Sequence, residues 1–236
     1  MTLPLAGIRI VDLSTVLSGP LATVMLADQG ASVIKIEPPE GDSSRMIGPA
    51  KGDLSAMFIT ANRGKRSIAL DLKLPAALEV LHALIGRADV LVNNFRPGVM
   101  ARLGLGDAAL ALRYPKLIRL SITGYGPDGP RAGDKVYDAV VQGVAGMAAS
   151  HRNLHTGAPG LLSTAVCDKL TSLAAAQAVS TALFARERDG QGRHVEVAML
   201  GACRAWGRAR AGESFGAGLG VGYACGQATQ RVGNDA

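Results

Sequence analysis

The fold is decided by a segment that runs IRIVDLSTVLSGPLATVMLADQGASVIKIEPPE, residues 8–40. Its apolar runs at residues 8–13 and 32–36 predict two buried strands. Between them Gly19-Pro20 opens a predicted helix, because proline fits the first helical turn, and Gly30 closes it. A strand, a helix and a strand in this order predict a β-α-β unit, whose crossover helix implies that the strands are parallel.

The same alternation of strands and helices continues along the chain. Further predicted strands cover residues 67–72, 89–93 and 117–122, and predicted helices cover residues 54–61, 75–87, 98–103 and 137–147. This order predicts an α/β fold with a doubly wound parallel sheet. Since ligands of such sheets bind beyond the carboxyl ends of the strands, we expect a site near loops 14–19, 37–42 and 94–98.

Composition narrows the class of protein. Of 236 residues, 48% are hydrophobic and only 4% are aromatic, which predicts one large domain or two small ones with an aliphatic core. The formal net charge of +6 suggests an anionic partner, and the absence of a dense Lys/Arg tract favours a phosphorylated small molecule over nucleic acid. No secretory signal, membrane-length apolar run or metal-ligand spacing is visible, so we expect a cytoplasmic protein without membrane or metal partners.

The strongest candidate for a catalytic residue is Asp168, in the stretch of residues 159–190. A short apolar run that favours a strand ends at this aspartate, and apolar residues at helical spacing follow it until Gly190 stops the helix. Asp168 is therefore predicted at the junction, where an aspartate commonly caps a helix. The alternative is a nucleophile, because the helix dipole favours an ionised carboxylate there by roughly 0.3–1 kcal/mol.

The character of the sequence changes after residue 200. Residues 201–236 contain nine glycines, two of the three cysteines and the single tryptophan, and they show neither helical nor strand periodicity. We therefore predict a domain over residues 1–200 and an irregular glycine-rich tail over residues 201–236. The glycine run at residues 216–222 lacks the flanking strand, the helix and the Lys-Ser/Thr pair of a nucleotide-binding loop, so we predict no function for it.

Eight stretches of the chain together carry a family resemblance. They are LAGIRIVDL (5–13), GP (19–20), GASVIKIE (30–37), NRGKRSIALDLK (62–73), ADVLVNNFRPG (88–98), GYGP (124–127), YDAVVQ (137–142) and HVEVAM (194–199). In their order and spacing these stretches resemble the class III CoA-transferases, a family of the CaiB/BaiF type that includes formyl-CoA transferase and α-methylacyl-CoA racemase. The resemblance covers about residues 3–200 and implies the Rossmann-like large domain of that family.

The same resemblance sets expectations for the end of the chain. The family is built as an interlocked homodimer of longer chains, each with a small domain and a later glycine-rich active-site loop. Because the resemblance ends just after Met199, we expect a C-terminally truncated chain that lacks both features, which puts the homodimer in question. A frameshift near residues 200–201 is our hypothesis for the coincident change in composition, and the DNA sequence around codon 200 tests it.

The resemblance implies an enzyme that transfers CoA between carboxylic acids, with acyl-CoA and an acceptor acid as substrates and no permanently bound cofactor. In the place of the family's nucleophile stands Asp168, which would attack the thioester to form a mixed anhydride and then an enzyme–CoA thioester. The racemase branch pairs a histidine with an aspartate, and the place of that histidine holds Asp134, which favours transfer over racemisation. An α-methylacyl-CoA racemase and an inactive CoA-binding remnant are the two alternatives.

The resemblance also implies which residues contact CoA. They are Val16 through its main chain, Leu72 and Lys73 near the adenine and phosphates, Asn94, Phe95 and Arg96 after a strand end, and Arg102 and Lys135 at the phosphates. Asn94 would bond a pantetheine amide, and the basic residues would make charge-assisted hydrogen bonds. From the residues alone, Phe95 is equally a core residue, Arg102 is a solvated helix charge, and the basic turn at residues 63–66 is either solvated or phosphate-facing.

Overall fold

A seven-stranded sheet forms the centre of the chain in the computed structural model, which describes residues 2–208 and 221–225. The strands are β1 Arg9–Asp12, β2 Ser32–Glu37, β3 Ala50–Lys51, β4 Leu54–Ser55, β5 Arg66–Ala69, β6 Val90–Asn93, β7 Ile118–Thr123, β8 Arg193–Ala198 and β9 Val221–Cys225. The α-helices are α1 Ser18–Asp28, α2 Ala56–Asn62, α3 Pro75–Ile85, α4 Val99–Arg102, α5 Asp107–Arg113, α6 Asp138–Val144, α7 Met147–Ser150, α8 Val166–Asp189 and α9 Met199–Arg208.

The strand order across the sheet is β5-β2-β1-β6-β7-β8-β9, and the short strands β3 and β4 pair with each other. All pairs from β5 to β8 are parallel, whereas β9 at the edge pairs antiparallel with β8. The chain begins at the middle of the sheet, runs outward to β5 and returns to β6 on the other side of β1. The predicted doubly wound α/β fold is confirmed, and the strand order reverses between β1 and β6, where ligands of such sheets bind.

Helices cover both faces of the sheet, which is why its strands read as continuous apolar runs. On one face Ile10, Val92 and Leu120 pack with buried residues of α1 and α8. On the other face Val11 and Leu91 pack with buried residues of α3 and α5. Neighbouring residues of one strand thus enter different core layers, and this packing holds the carboxyl ends of β1, β6 and β7 side by side.

Small side chains form the buried face of α8, the longest helix in residues 2–208. Ala174, Ala175, Ala178 and Ala182 on this face are all buried. Because alanine adds little volume, α8 packs closely against α1 and the sheet. Although α8 has 24 residues, neither it nor another helix of residues 2–208 and 221–225 has an apolar stretch that could cross a membrane.

The expectation of a strand ending at Asp168 is wrong. Helix α8 begins at Val166 with Ala165 as its N-cap, so Asp168 lies inside the first turn rather than at the cap. The run before the helix is a loop, because the side chain of Gln142 binds its backbone in place of a neighbouring strand. Gln142 Oε1 accepts a hydrogen bond from the Leu162 N–H at 2.8 Å, and Gln142 Nε2 donates to the carbonyls of Leu162 and Thr164.

The segment predicted as an irregular tail contains regular structure. Residues 201–208 belong to α9, and residues 221–225 form β9. The pairing of β9 with β8 satisfies backbone groups at a sheet edge, and such long-range pairing leaves no periodic signal in the sequence. The rest of the predicted tail, including most of the glycine run at residues 216–222, lies outside the described residues. A domain boundary at residue 200 would fall within α9 and stays a prediction.

We expect Gly192→Ala to lower the free energy of unfolding by about 1–3 kcal/mol, as overpacking of a rigid core does. A Cβ at Gly192 would lie 2.3 Å from the Leu117 carbonyl oxygen, and backbone at the start of β7 cannot move away cheaply. The matched control is Gly143→Ala on α6, where a Cβ would meet nothing within 4 Å. Urea denaturation should show this control unchanged or stabilised by up to about 1 kcal/mol; equal behaviour of the two variants would contradict the packing argument.

Candidate active site

The carboxyl group of Asp168 lies where two helices begin. It is half-buried in the first turn of α8, and the hydroxyl and N–H of Ser18, the first residue of α1, lie close enough to it to lower its pKa. Ser172 Oγ, one turn further along α8, donates to the Ser18 carbonyl oxygen at 2.8 Å and to the Asp168 carbonyl oxygen at 2.7 Å. The amino-terminal ends of α1 and α8 carry partial positive charge, and the Asp168 side chain belongs to the first turn of one and lies beside the first residue of the other.

A second carboxylate, Asp138, stands beside Asp168. Asp138 is the first residue of α6, and its Oδ2 accepts a hydrogen bond from the Asp168 N–H at 2.9 Å. Its Oδ1 accepts a hydrogen bond from Gln142 Nε2 at 2.6 Å. Gln142 also binds the loop that leads into α8, so this pair of residues fixes the approach of the chain to Asp168.

The pKa of Asp168 is raised from 3.8 to about 6, and the largest cause is burial. The neighbouring charge of Asp138 adds to the rise, whereas the hydrogen bonds from Ser18 lower the pKa. Burial and a like charge therefore outweigh any lowering of the pKa by the helix dipole, which the sequence analysis considered by itself. At neutral pH the carboxyl group is still mostly ionised, and it is more basic than an ordinary aspartate.

Three adjoining cavities open at the carboxyl edge of the sheet. The first, which we call the Asp168 cavity, has a volume of about 190 Å³ and is lined by Thr15, Val16, Ser18, Asn94, Asp138 and Asp168. The basic cavity, about 210 Å³, is lined by Asn94, Phe95, Arg96, Asp134 and Lys135. The apolar cavity, about 320 Å³, is lined by Thr15, Pro38, Leu70, Leu72, Lys73 and Phe95. Asn94 lines both the Asp168 cavity and the basic cavity, and Thr15 lines both the Asp168 cavity and the apolar cavity, so the three cavities are neighbours.

Seven of the eight residues predicted to contact CoA line these cavities: Val16, Leu72, Lys73, Asn94, Phe95, Arg96 and Lys135. Their individual roles stay predictions. Arg102 is the exception, because it is exposed at the end of α4 and lines none of the three cavities. Its guanidinium lies near Gly98, where a Cβ would be 3.4 Å from Nη1, and this position favours a solvated helix charge.

The contacts of two further residues bear on their expected roles. The Asn94 side chain accepts a hydrogen bond from the Thr15 N–H at 2.9 Å and donates one to the Thr15 carbonyl at 2.8 Å, so it holds a loop, and its expected bond to pantetheine stays a prediction. Lys65 in the basic turn is neither solvated nor phosphate-facing, because it is buried and forms an ion pair with Asp12 at 3.0 Å. Phe95 lines the apolar cavity and also packs against the core, and its contact with CoA stays a prediction.

Asp138 is the functional candidate that the sequence analysis missed as a site residue. An aspartate at the start of a predicted helix, within the quoted YDAVVQ stretch, was a usable signal, but it looks the same as an ordinary first-turn acid. Only the approach of α6 to α8 distinguishes the two. Within residues 2–208 and 221–225, no group of histidine, cysteine and acidic side chains is arranged to hold a metal ion.

Known proteins resemble this chain over nearly all of its length. The profile of CoA-transferase family III matches residues 5–234. The succinate–glutarate CoA-transferase of Agrobacterium fabrum is 43% identical over 205 residues, which cover 84% of this chain and 51% of the relative. The formyl-CoA:oxalate CoA-transferase of Afipia carboxidovorans is 41% identical over 246 aligned residues, covering 100% of this chain and 58% of the relative. The crystal structure of a CaiB/BaiF family protein from Brucella suis matches with a TM-score of 0.83 at 34% identity, covering 91% of this chain and 59% of that one.

These matches test the expectation that the family resemblance ends just after Met199. The chain spans about half the length of the curated relatives it matches, 51% in the first case. The family profile reaches residue 234, beyond Met199, where the resemblance was expected to end. The frameshift hypothesis therefore rests on composition alone, and the DNA sequence around codon 200 remains its test.

We expect Asp168→Asn to stabilise the protein at pH 8 and to leave its stability almost unchanged at pH 4. A carboxyl group whose pKa is raised in the folded state contributes stability below its unfolded pKa, and this contribution is lost as pH rises through the folded pKa of about 6. A shift of about two units corresponds to at most about 3 kcal/mol, and partial exposure reduces this to on the order of 1–3 kcal/mol. Chemical denaturation at both pH values measures the difference.

The matched control for this substitution is Asp189→Asn at the other end of α8. A hydrogen bond from the Gln191 N–H and the nearby Arg193 lower the pKa of Asp189, so its linkage has the opposite sign. The same change there should not stabilise the protein at pH 8. A gain from Asp168→Asn that is equal at pH 4 and pH 8 would contradict the raised pKa.

Proposed function

Because this chain belongs to CoA-transferase family III, we propose that it carries the nucleophile and the CoA-binding surface of an acyl-CoA:carboxylate CoA-transferase. The proposed nucleophile is Asp168. The observation that carries the proposal is a half-buried carboxyl group, with a pKa of about 6, that lies beside Ser18 at the start of α1 and lines a cavity at the carboxyl edge of a parallel sheet. Such a group is ionised at neutral pH and is shielded enough from water to attack a thioester.

The proposed reaction has four balanced steps. An Asp168 carboxylate oxygen attacks the thioester carbonyl carbon, the carbon–sulfur bond breaks, and CoA leaves as its thiolate from a mixed anhydride. The thiolate then attacks the aspartyl carbonyl carbon, which releases the first acid as its carboxylate and leaves an aspartyl–CoA thioester. The acceptor carboxylate attacks this thioester and re-forms an anhydride with release of the thiolate. Attack of the thiolate on the acyl carbon yields the new acyl-CoA and restores Asp168, with no net change in protons.

The residues around Asp168 suit the charges that develop in these steps. Each addition puts negative charge on a carbonyl oxygen, and the Ser18 hydroxyl and N–H at the start of α1 are donors for that charge. Asp138 holds the main chain of Asp168 through its N–H and keeps the carboxylate basic. These two effects would raise the reactivity of a group that is otherwise a weak nucleophile.

The remaining surface suits the two ends of CoA. We assign the apolar cavity, with Leu72, Lys73 and Phe95, to the adenine end, and the basic cavity, with Arg96 and Lys135, to phosphate groups. The relatives are named for succinate and glutarate or for formyl-CoA and oxalate, so we propose a short dicarboxylic acid as acceptor. We further propose a cytoplasmic enzyme without a resident cofactor, and a homodimer only in a form that includes the rest of the family's length.

The alternatives differ in their support. A racemase is not favoured, because the relatives at 38–43% identity are named as transferases and the place of the racemase histidine holds Asp134, which pairs with Arg131 at 3.0 Å. An inactive CoA-binding remnant is the remaining alternative. It shares the cavities with the transferase and lacks only the covalent step, so a covalent assay separates the two.

We expect succinyl-CoA to form a covalent adduct on the peptide that contains Asp168, detected by mass spectrometry and removed by hydroxylamine. Asp168→Ala should form no adduct but keep CoA binding, since the variant retains all three cavity walls apart from one carboxyl group. Binding is measured as thermal stabilisation, which at about 100 times the dissociation constant amounts to about 2.7 kcal/mol. Asp189→Asn, at the far end of the same helix, is the control that should still form the adduct.

Two results would decide against the transferase. Stabilisation by CoA without any adduct from succinyl-, formyl- or acetyl-CoA would favour the remnant, and an adduct that persists in Asp168→Ala would disprove the nucleophile assignment. Exchange of the α-proton in deuterated water without an acceptor acid would instead support a racemase.

We expect the rate of adduct formation in a single turnover to rise about tenfold per pH unit below pH 6 and to level off above it, because only ionised Asp168 attacks. Asp138→Asn removes the like charge and should move this rise to lower pH. Stopped-flow measurements between pH 4.5 and pH 8 give both profiles. An unchanged midpoint in Asp138→Asn would show that Asp138 does not influence the ionisation of Asp168.

A further inference from the structure

Val16 has an unusual backbone conformation for its residue type. Its φ of +66° is the only positive value at a non-glycine residue within the described part of the chain. A β-branched side chain is unfavourable in the left-handed region, so the surrounding structure must hold this residue in place. Val16 also lines the Asp168 cavity, two residues before Ser18.

A buried carboxylate holds the Val16 N–H. Both oxygens of Asp42 lie within reach of this N–H, Oδ1 at 3.2 Å and Oδ2 at 3.3 Å. Asp42 in turn forms an ion pair with Lys35 at 2.8 Å, and Lys35 Nζ donates to the Ser14 carbonyl oxygen, also at 2.8 Å. One ion pair thus binds the loop at two of its residues, Ser14 and Val16.

This ion pair is completely removed from solvent. The side chains of Lys35 and Asp42 are 1% and 0% exposed. Burial opposes ionisation of Asp42, but Lys35 and the hydrogen bonds from Ser44 outweigh it and keep the pKa of Asp42 below its ordinary value. Since a buried ion pair is seldom a net gain in stability over apolar side chains, its presence here calls for another explanation.

We propose that Asp42, held by Lys35, is a positioning residue for residues 13–17, the loop between β1 and α1 that would bind acyl-CoA. It keeps Val16 in the left-handed conformation, and this conformation turns the main chain from β1 into α1 so that Ser18 meets Asp168. Asn94 fixes Thr15 from the opposite side. The inference rests on the proposed function only in taking CoA as the ligand of this loop.

The proposal makes Asp42 and Val16 energetically dependent on each other. Glycine adopts a φ near +66° without the Cβ penalty, so a chain with Val16→Gly needs less help from Asp42. In Asp42→Asn the side-chain amide presents N–H groups to the Lys35 ammonium or to the Val16 N–H, and one of these contacts is lost. A residue that merely supports the fold would matter equally in both backgrounds.

The experiment is a double-mutant cycle of Val16→Gly and Asp42→Asn, read out as the dissociation constant for CoA by calorimetry. We expect Asp42→Asn to weaken binding by about tenfold in the native background and by about twofold or less in the Val16→Gly background. Equal weakening in the two backgrounds, or no weakening in either, would overturn the proposal.

The matched control is Asp107→Asn, which removes the charged partner of buried Arg119 at 2.6 Å without touching the loop. This variant should lower Tm but leave CoA binding unchanged.

Two further measurements cover a variant that fails to fold and a chain that fails to bind. Should Asp42→Asn unfold, the double variant Lys35→Met with Asp42→Leu replaces the pair by apolar side chains, which such pairs usually tolerate, and it should show the same loss of CoA affinity. The ¹³Cα and ¹³Cβ chemical shifts of Val16 test the backbone without any ligand. In Asp42→Asn, or in the double variant that replaces it, these shifts should move from left-handed to ordinary values. Unchanged shifts would overturn the inference. A native chain that binds no CoA would overturn only the proposed function.

Discussion

The contact between the amino termini of α1 and α8 organises the site. Ser18 and Ser172 are 154 positions apart in the chain, yet the hydroxyl of one donates to the carbonyl of the other. The same contact brings the Ser18 donors to the Asp168 carboxyl group. Burial and the charge of Asp138 raise the pKa of that group, the Ser18 donors lower it, and the balance lies near 6. Without this meeting of helices, Asp168 would be an ordinary acid in a first helical turn.

Two buried ion pairs fix the loop that leads into α1. Asp12, Lys35, Asp42 and Lys65 are almost completely inaccessible and form two ion pairs, both of which bond to the main chain between Ser14 and Pro20. Apolar side chains would fill the same space at lower desolvation cost, but they could not bind backbone groups in fixed directions. The loop between β1 and α1 is therefore set by polar groups whose positions depend on β1, β2 and the turn before β5.

Much of the architecture was predictable from local patterns, because both faces of the sheet are buried and each strand reads as an apolar run. The strands β1, β2, β6 and β7 were found within one or two residues, whereas α5 was not predicted and the end of the chain was judged irregular. The contacts at the site that the sequence did not reveal have a common cause. Asn94 binds Thr15 and Lys65 binds Asp12, and both partners lie roughly 50–80 residues away in the chain. Periodicity describes one element at a time and gives no information about partners that are distant in the sequence.

The packing of the alanines on α8 affects the environment of the Asp168 carboxyl group. These alanines are buried in the same core cluster as residues of α1, so one additional carbon there would push α8 away from its neighbours. The same displacement would separate Ser18 from Asp168 and admit water to the carboxylate, whose raised pKa depends on burial. Variation at these alanines should therefore alter the pKa of Asp168 together with the stability of the core, so that core residues far from the cavity would set the acidity of the proposed nucleophile.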